Sequence, residues 1–403
     1  MKDSDLILYE IFPDRFFRVG TYAKKYKKWE SLPNRNSHFG GNLRGIKEKI
    51  PYLKELGINC LYLTPIFKAK RPHKYDTENY MEIDPNFGNT NDFDELLQSL
   101  HEQNIRLILD GVFLHTGDQF WAFKDAEKKD GESLYWQWYF FNGYPVKRLP
   151  KPNYENSGIY YLPRLNHNNE EVIDYLKQVV SYWTLKGIDG WRFDMPWQIG
   201  PVFWNEIVGV AKNINPDIIL IGEYWNNPSE ILEDYPFHGV MDYIFRNEVV
   251  KLLRGKINPI DFAEKLKYKT NSKFNRCWNM LGSHDTSRIR GVLKSDAKVK
   301  IAFTLAFTFP GNPIIYYGDE IGMFGGKDPD CRRTFVWDEK RWDLPIYEHI
   351  KNVINFRRTF NKIQNFDFVK LNNNEISYLI ENDDSSYLIN IDLKEFQSTI
   401  KRV

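Results

Sequence analysis

Charge of neither sign dominates this chain. Its 55 basic and 54 acidic side chains leave a net charge of +1 over 403 residues. That balance argues against nucleic acid or an acidic membrane surface as the main partner. No apolar run reaches the roughly 20 residues that a membrane-spanning helix needs. Cysteine is scarce: Cys60, Cys277 and Cys331 are odd in number, widely spaced and free of any C-x-x-C pattern. Neither a disulfide framework nor a zinc site is suggested. The first ten residues are charged early and contain no signal-peptide core, so a cytoplasmic location is expected. There is no low-complexity linker, and the Lys-rich patch at 24–28 reads as a solvated loop. What the chain has in abundance is aromatic side chains, 16% of residues with 12 Trp. Aromatics beyond the needs of a core suit a groove for flat-faced ligands.

Apolar runs of strand length alternate with helix-period segments along most of the sequence. Strands are expected at 6–12, 58–67, 105–115, 188–194, 218–225, 240–243, 277–284 and 312–318. Helices are expected at 43–56, 91–104, 170–186, 202–214, from 243 to about 267, at 297–309 and at 346–360. Strands apolar enough to be buried on both faces, alternating with helices in eight units, indicate an α/β fold, a parallel (β/α)8 TIM barrel. The alternation is interrupted at 116–168, a stretch rich in Trp, Tyr, Phe, Pro and Asn, which reads as a subdomain inserted after strand 3 and forming a cleft wall. Beyond 361 the period shortens to two, as in a small β-meander of three or four strands. The expected division is therefore 1–115 and 169–360 for the barrel, 116–168 for the insertion and 361–403 for a reduced C-terminal β-domain.

Three acids stand at the ends of expected strands: Asp194 after the fourth, Glu223 after the fifth and Asp285 after the seventh. In a barrel all three face one mouth, where they repel and raise one another's pKa, an arrangement that suggests chemistry. Arg192 and Asp194 are two apart on one strand and share a face, so Arg192 is expected to keep Asp194 ionised. Glu223, flanked by Tyr224 and Trp225, is the candidate for a raised pKa. One ionised and one protonated carboxyl is what glycosidic cleavage needs. Asp194 is then the nucleophile and Glu223 the acid/base. Asp285 would orient sugar hydroxyls and stabilise the transition state.

These residues lie in stretches that resemble the α-amylase family of glycoside hydrolases, and most closely its cyclomaltodextrinase/neopullulanase branch. The matching stretches include Gly40-Gly41-Asn42-Leu43-Arg44-Gly45-Ile46, His73-Lys74-Tyr75-Asp76-Thr77, Asp110-Gly111-Val112-Phe113-Leu114-His115 and Leu162-Pro163-Arg164-Leu165-Asn166. They continue through the three acid-bearing segments to Tyr316-Tyr317-Gly318-Asp319-Glu320-Ile321-Gly322-Met323 and Gly325-Gly326-Lys327-Asp328-Pro329-Asp330-Cys331-Arg332-Arg333. The resemblance implies that Tyr75 stacks on the sugar being cleaved, with His73 near it, and that His115 and His284 bond its hydroxyls. It implies that Asp328 and Arg332 hold the next sugar and that Trp225 lines the acceptor side. The implied activity is retaining hydrolysis of α-1,4 bonds in maltooligosaccharides and starch fragments, with α-1,6 and cyclic substrates left open. A 4-α-glucanotransferase is the nearest alternative, and an inactive carbohydrate-binding relative a more distant one.

The sequence also departs from the branch. Leu114 stands where the family usually has an Asn that helps to hold calcium. Leu offers no oxygen, so no structural calcium is expected at that site and no cofactor at all. Trp197-Gln198 and Asn226 replace residues common toward the acceptor side. The sequence starts at the first expected barrel strand, without the N-terminal β-domain through which typical cyclomaltodextrinases dimerise. A monomer or weak homo-oligomer is expected.

Overall fold

A computed structural model describes residues 6–20, 26–360 and 362–403. The first five residues, part of the 24–28 lysine patch and the boundary residue 361 therefore lie outside the described residues. Eight short strands close into one barrel: β1 (Leu8–Ile11), β2 (Cys60–Leu63), β5 (Arg106–Gly111), β6 (Gly190–Phe193), β7 (Ile219–Tyr224), β8 (Gly239–Asp242), β9 (Trp278–Met280) and β10 (Asn312–Tyr316). Every neighbouring pair runs parallel. Between β2 and β5 the chain adds β3 (Phe67–Ala69) and β4 (Thr77–Ile83), paired outside the ring as an antiparallel ribbon.

Alternation along the strands sorts the core into two shells. Leu8, Cys60, Tyr62, Ile108, Ile219, Ile221, Met241, Trp278, Met280 and Ile314 belong to one compact cluster, the barrel interior. Their neighbours Tyr9, Leu61, Leu63, Leu107, Leu109, Trp191, Phe193 and Leu220 join the larger core beneath the helices. Side chains two apart share a face. Stepping by two toward each strand's C-terminal end therefore leads from apolar filling to Glu10, Asp110, Arg192 and Glu223, all buried. The barrel's apolar layers thus support a polar layer at one mouth.

Several elements differ from the sequence expectation. The helix expected at 43–56 is two, Leu43–Glu48 and Ile50–Leu56, because Pro51 starts a new helix at its first turn rather than continuing the old one. The helical stretch expected to run to about 267 stops at Leu253 and restarts at Pro259–Lys265 with Asn258 as its cap. The β3–β4 ribbon was not foreseen. It breaks register twice, which blurs its period-two signal. The insertion contains a helix, Trp121–Lys129, and its margins are tied by isolated bridges such as His115↔Arg164 and Tyr139↔Leu165. At the C-terminus β11 (Asn365–Asn372), β12 (Glu375–Glu381), β13 (Ser386–Asp392) and β14 (Gln397–Arg402) form an antiparallel sheet. Phe366 and Tyr378 of this sheet meet Phe309 of the barrel edge-on or tilted, with ring centroids 4.8 and 4.9 Å apart. The fourth strand carries one apolar residue, Ile400, so alternation alone did not reveal it.

Gly45 shows how tightly the Leu43–Glu48 helix sits against the chain before it. Replacing a helical Gly by Ala ordinarily stabilises by roughly 0.5–1 kcal/mol. Here a Cβ would lie 2.0 Å from the Phe17 carbonyl oxygen. Gly45→Ala is therefore expected to destabilise the fold by about 2 kcal/mol or more, measured as a lower urea midpoint with an unchanged slope.

Candidate active site

The polar layer is organised on Arg192 of β6, whose side chain is completely buried. Parallel pairing sets Asp110 of β5 directly beside it. Arg192 Nη1 donates to Asp110 Oδ1 at 2.9 Å, to Asp110 Oδ2 at 3.0 Å and to Asp194 Oδ1 at 2.9 Å. Its Nη2 lies 2.8 Å from Glu223 Oε2, an ion-pair approach without hydrogen-bond alignment. One guanidinium thus faces three carboxyls.

Local backbone geometry directs donors at Glu223. Met195 has a left-handed backbone, φ 42° and ψ 47°, unusual for a non-glycine residue and of the kind held at functional sites. In that turn its N–H donates to Glu223 Oε2 at 3.1 Å. Trp225 Nε1 donates to Glu223 Oε1 at 2.7 Å, while the indole stacks on Tyr243 with centroids 3.7 Å apart and planes at 18°. Trp225 is 38% exposed, so it also faces solvent at the mouth.

Burial pushes the Asp194 carboxyl well above its ordinary range. Arg192 opposes that, and the charges of Glu223, Asp110 and Asp285 reinforce it. This corrects the expectation that Arg192 alone would hold Asp194 ionised: the guanidinium is divided among three acids and cannot neutralise them all. The donors from Met195 and Trp225 converge on Glu223 instead of Asp194. Asp194 is thus the carboxyl that this crowding raises, and Glu223 is the one that the neutral donors hold in place.

Asp285 belongs to a second charge system. It lies beyond β9, with its side chain 31% exposed to the cleft. His284 Nε2 is 3.0 Å from Asp285 Oδ2, and His284 Nδ1 is 2.6 Å from Glu10 Oε1. Burial alone would favour neutral His284, but Asp285 and Glu10 outweigh it and push the imidazole up to about 10. Burial would also raise Asp285. The His284 and Arg332 charges prevail and hold it well below the usual carboxylate range. Arg332 Nη2 donates to Asp285 Oδ1 at 2.9 Å, and its Nη1 pairs with Asp328 Oδ1 at 3.0 Å.

Tyr75 joins the two systems. Its hydroxyl donates to Asp110 Oδ2 at 2.9 Å and lies 2.6 Å from His284 Nε2, with the two rings stacked at 16°. The loop that carries it is pinned by Lys74, at φ 63°, whose buried ammonium lies 2.7 Å from Asp84. His73 Nδ1 accepts the Tyr75 N–H at 3.0 Å, and burial with Arg332 nearby pushes its imidazole down to about 3. His115 is 3% exposed and pushed down to about 4 by burial, and it shares no hydrogen bond with the acids among the described residues.

Of the residues singled out in the sequence, Asp194, Glu223, Arg192 and Trp225 form one bonded group. Asp285, His284, Tyr75, His73, Arg332 and Asp328 form a second one joined to it. His284 is more enclosed than a sugar ligand was expected to be, because both ring nitrogens already contact protein groups. Glu10 and Asp110 were overlooked. Period-two steps from Leu8 and Ile108 would have found both. Leu114 sits in the apolar core, and its carbonyl accepts from Leu165 N, so its side chain contributes no oxygen to a cation.

The catalytic-domain model of the α-amylase family matches residues 10–364. The chain belongs to the α-amylase family. It is 41% identical over 379 residues to a cyclomaltodextrinase from Thermoanaerobacter pseudethanolicus, covering 91% of this chain and 66% of that one. It is 38% identical over 366 residues to neopullulanase 2 from Thermoactinomyces vulgaris, covering 88% and 63%. The chain thus spans less than two thirds of the length of either curated relative. Among solved structures, the ligand-free cyclic α-maltosyl-(1→6)-maltose hydrolase from Arthrobacter globiformis aligns with a TM-score of 0.94 at 33% identity, covering 97% of this chain and 91% of that one. No helix among the described residues is long and apolar enough to cross a membrane.

Arg192→Met should expose what the guanidinium does. It leaves Asp110, Asp194 and Glu223 buried without their cation, and destabilisation of about 3–5 kcal/mol is expected at neutral pH. Without the cation the Asp194 carboxyl, already raised by burial, titrates still further above its unfolded range, so the folded state holds an extra proton and loses stability as pH rises. Urea titrations should therefore show a larger deficit at pH 8 than at pH 5.

Proposed function

We propose that this family member is a retaining α-glucan hydrolase acting on α-1,4 bonds of maltooligosaccharides and starch fragments. The observation that carries the reading is the bridge of one buried guanidinium between Asp194 and Glu223 on adjacent barrel strands. Such a bridge suits the short separation, about 5–5.5 Å, of a retaining carboxyl pair. Asp194 attacks the anomeric carbon while Glu223 gives its proton to the leaving oxygen, and a covalent glycosyl-enzyme forms. Glu223 then takes a proton from water, which displaces Asp194 and releases a sugar of retained α configuration.

The reaction needs a proton on Glu223 and the charge on Asp194. An oxocarbenium-like centre developing beside Asp194 favours that distribution, because a nearby cation stabilises the ionised carboxyl. Asp285, held anionic by His284 and Arg332, would bind sugar hydroxyls and stabilise the same centre. Tyr75 and His73 would flank that sugar, with His115 contributing from the segment that follows β5. Arg332 and Asp328 would hold the next sugar, and Trp225 would meet the acceptor. No cofactor is invoked, and calcium at the Leu114 position is not proposed, because that side chain has no oxygen to give.

A second reading, cleavage of short cyclic or α-1,6-linked glucans, is favoured by the likeness to an enzyme named for hydrolysing cyclic α-maltosyl-(1→6)-maltose. The enzyme is proposed to act in the cytoplasm, as a monomer or weak oligomer.

Asp194→Asn is expected to lose turnover roughly a thousandfold or more while circular dichroism is unchanged. Near-normal turnover by that variant would refute the nucleophile. Product chromatograms from maltotriose, pullulan and β-cyclodextrin should show shortened or opened sugars. Oligomers longer than maltotriose dominating would identify a glucanotransferase instead.

A further inference from the structure

Glu10, like Asp110, is an acid of the polar layer that the reaction sketched above leaves without a task, and it faces His284 rather than Arg192. It stands on β1, two residues beyond Leu8, and is completely buried. Its Oε1 accepts twice from one residue, from His284 N at 3.0 Å and from His284 Nδ1 at 2.6 Å. Its Oε2 has no hydrogen-bond partner among the described residues. A buried carboxylate with one oxygen unpartnered is costly unless a charge faces it. The charge within reach is the His284 ring, whose far nitrogen meets Asp285. The backbone carbonyl of His284 accepts from Arg332 Nε at 2.7 Å, which clamps the residue from its other side.

We propose that Glu10 is a positioning residue, which holds His284 as a doubly protonated cation and through it fixes the orientation and charge of Asp285. This rests on the reading of Asp285 as the acid that grips the sugar. Two protons on the ring are required by geometry. Nδ1 must donate to Glu10, an acceptor only, and Nε2 must donate to Asp285 or Tyr75, since the Tyr75 hydroxyl already donates to Asp110. A neutral imidazole satisfies one side and leaves the other as two facing acceptors. The groups that bear on this ring's titration are Glu10, Asp285 and Tyr75 in contact. Around them lie Tyr62 on β2, Tyr316 and Asp319 at the end of β10, and Arg332 and Arg192 near Asp285.

Glu10→Gln tests this, because it keeps an oxygen for both His284 donors and removes only the charge. A purely structural role predicts no change. With Glu10's charge removed, circular dichroism should be unchanged while kcat on maltotriose falls roughly 10–100-fold at little change in KM, the range for a partner that orients an acting group. The sign of the pH effect follows from the lost anion. His284 gives up its proton at lower pH, so the alkaline limb of kcat/KM should move down by about one unit or more. A variant with the wild-type kcat and pH profile would overturn the proposal. With 15N-labelled histidine, the His284 ring, assigned by comparison with His284→Gln, should lose the second of its two N–H groups about one pH unit or more lower in Glu10→Gln than in the wild type. That readout needs no activity. Should the wild type cleave no α-glucan, the hydrolase reading fails, while a second N–H lost at lower pH in the variant still supports Glu10's role and one lost at the same pH in both rejects it.

Discussion

One positive charge, placed where water cannot reach it, governs the mouth of this barrel. Arg192 is fixed on β6 by its register against β5, and it meets Asp110, Asp194 and Glu223 at 2.8–3.0 Å. Buried ions are stabilised only by partners with good geometry, and a surplus of one sign must be relieved by protonation. Three carboxyls around one guanidinium are such a surplus. A well-packed core would avoid it, and its presence separates this layer from the apolar filling below. The surplus pushes the Asp194 carboxyl up, and double displacement asks of this crowded layer that Asp194 bond to the anomeric carbon while Glu223 passes its proton to the leaving oxygen.

The same alternation that builds the barrel builds the site. Inward positions of β1, β5, β6 and β7 carry small or apolar residues low in the barrel: Leu8, Ile108, Gly190 and Ile221. Two residues on they carry Glu10, Asp110, Arg192 and Glu223. No separate scaffold is needed to aim these groups, since strand direction and period two already do so. Precision comes from beneath: the buried Trp278 and Met280 fill the layer under the acids. The Met195 turn and the Trp225–Tyr243 stack then set the rotamer of Glu223 from above.

This explains what could be read from the sequence. Eight β-type runs separated by helical periods specify the barrel, and acids at their ends specify Asp194, Glu223 and Asp285, because strand ends and barrel mouths coincide. Pairing partners are harder. Asp110 and Glu10 meet Arg192 and His284 across 82 and 274 residues, and no local pattern announces a contact of that span. The surroundings of Asp194 are only partly legible for the same reason: the i, i+2 spacing reveals Arg192 beside it but not the two other acids that divide the guanidinium. Interruptions were hard to read too. Pro51 reads as tolerable inside a long helix until the first turn of a second helix is seen to begin there. The ribbon β3–β4 has its alternation erased by two shifts of register.

The two charge systems differ in a way that assigns them different work. Around Arg192 there are more anions than cations and the proton inventory is open. Around His284 two cations serve three acids, so that each acid has one against it: Glu10 and Asp285 face one imidazolium, and Arg332 faces Asp285 and Asp328. With two cations on it, Asp285 is held well below the usual carboxylate range and stays anionic at neutral pH, so this set is closed to proton exchange. Tyr75 keeps them separate although it touches both, because its pKa is raised well above the ordinary phenol range by burial and it carries no proton between them at neutral pH. Chemistry that moves protons belongs to the open set, and binding that must not change as protons move belongs to the closed one. The carboxyl pair and the third acid therefore divide their labour for an electrostatic reason visible in the arrangement of Arg192 and His284.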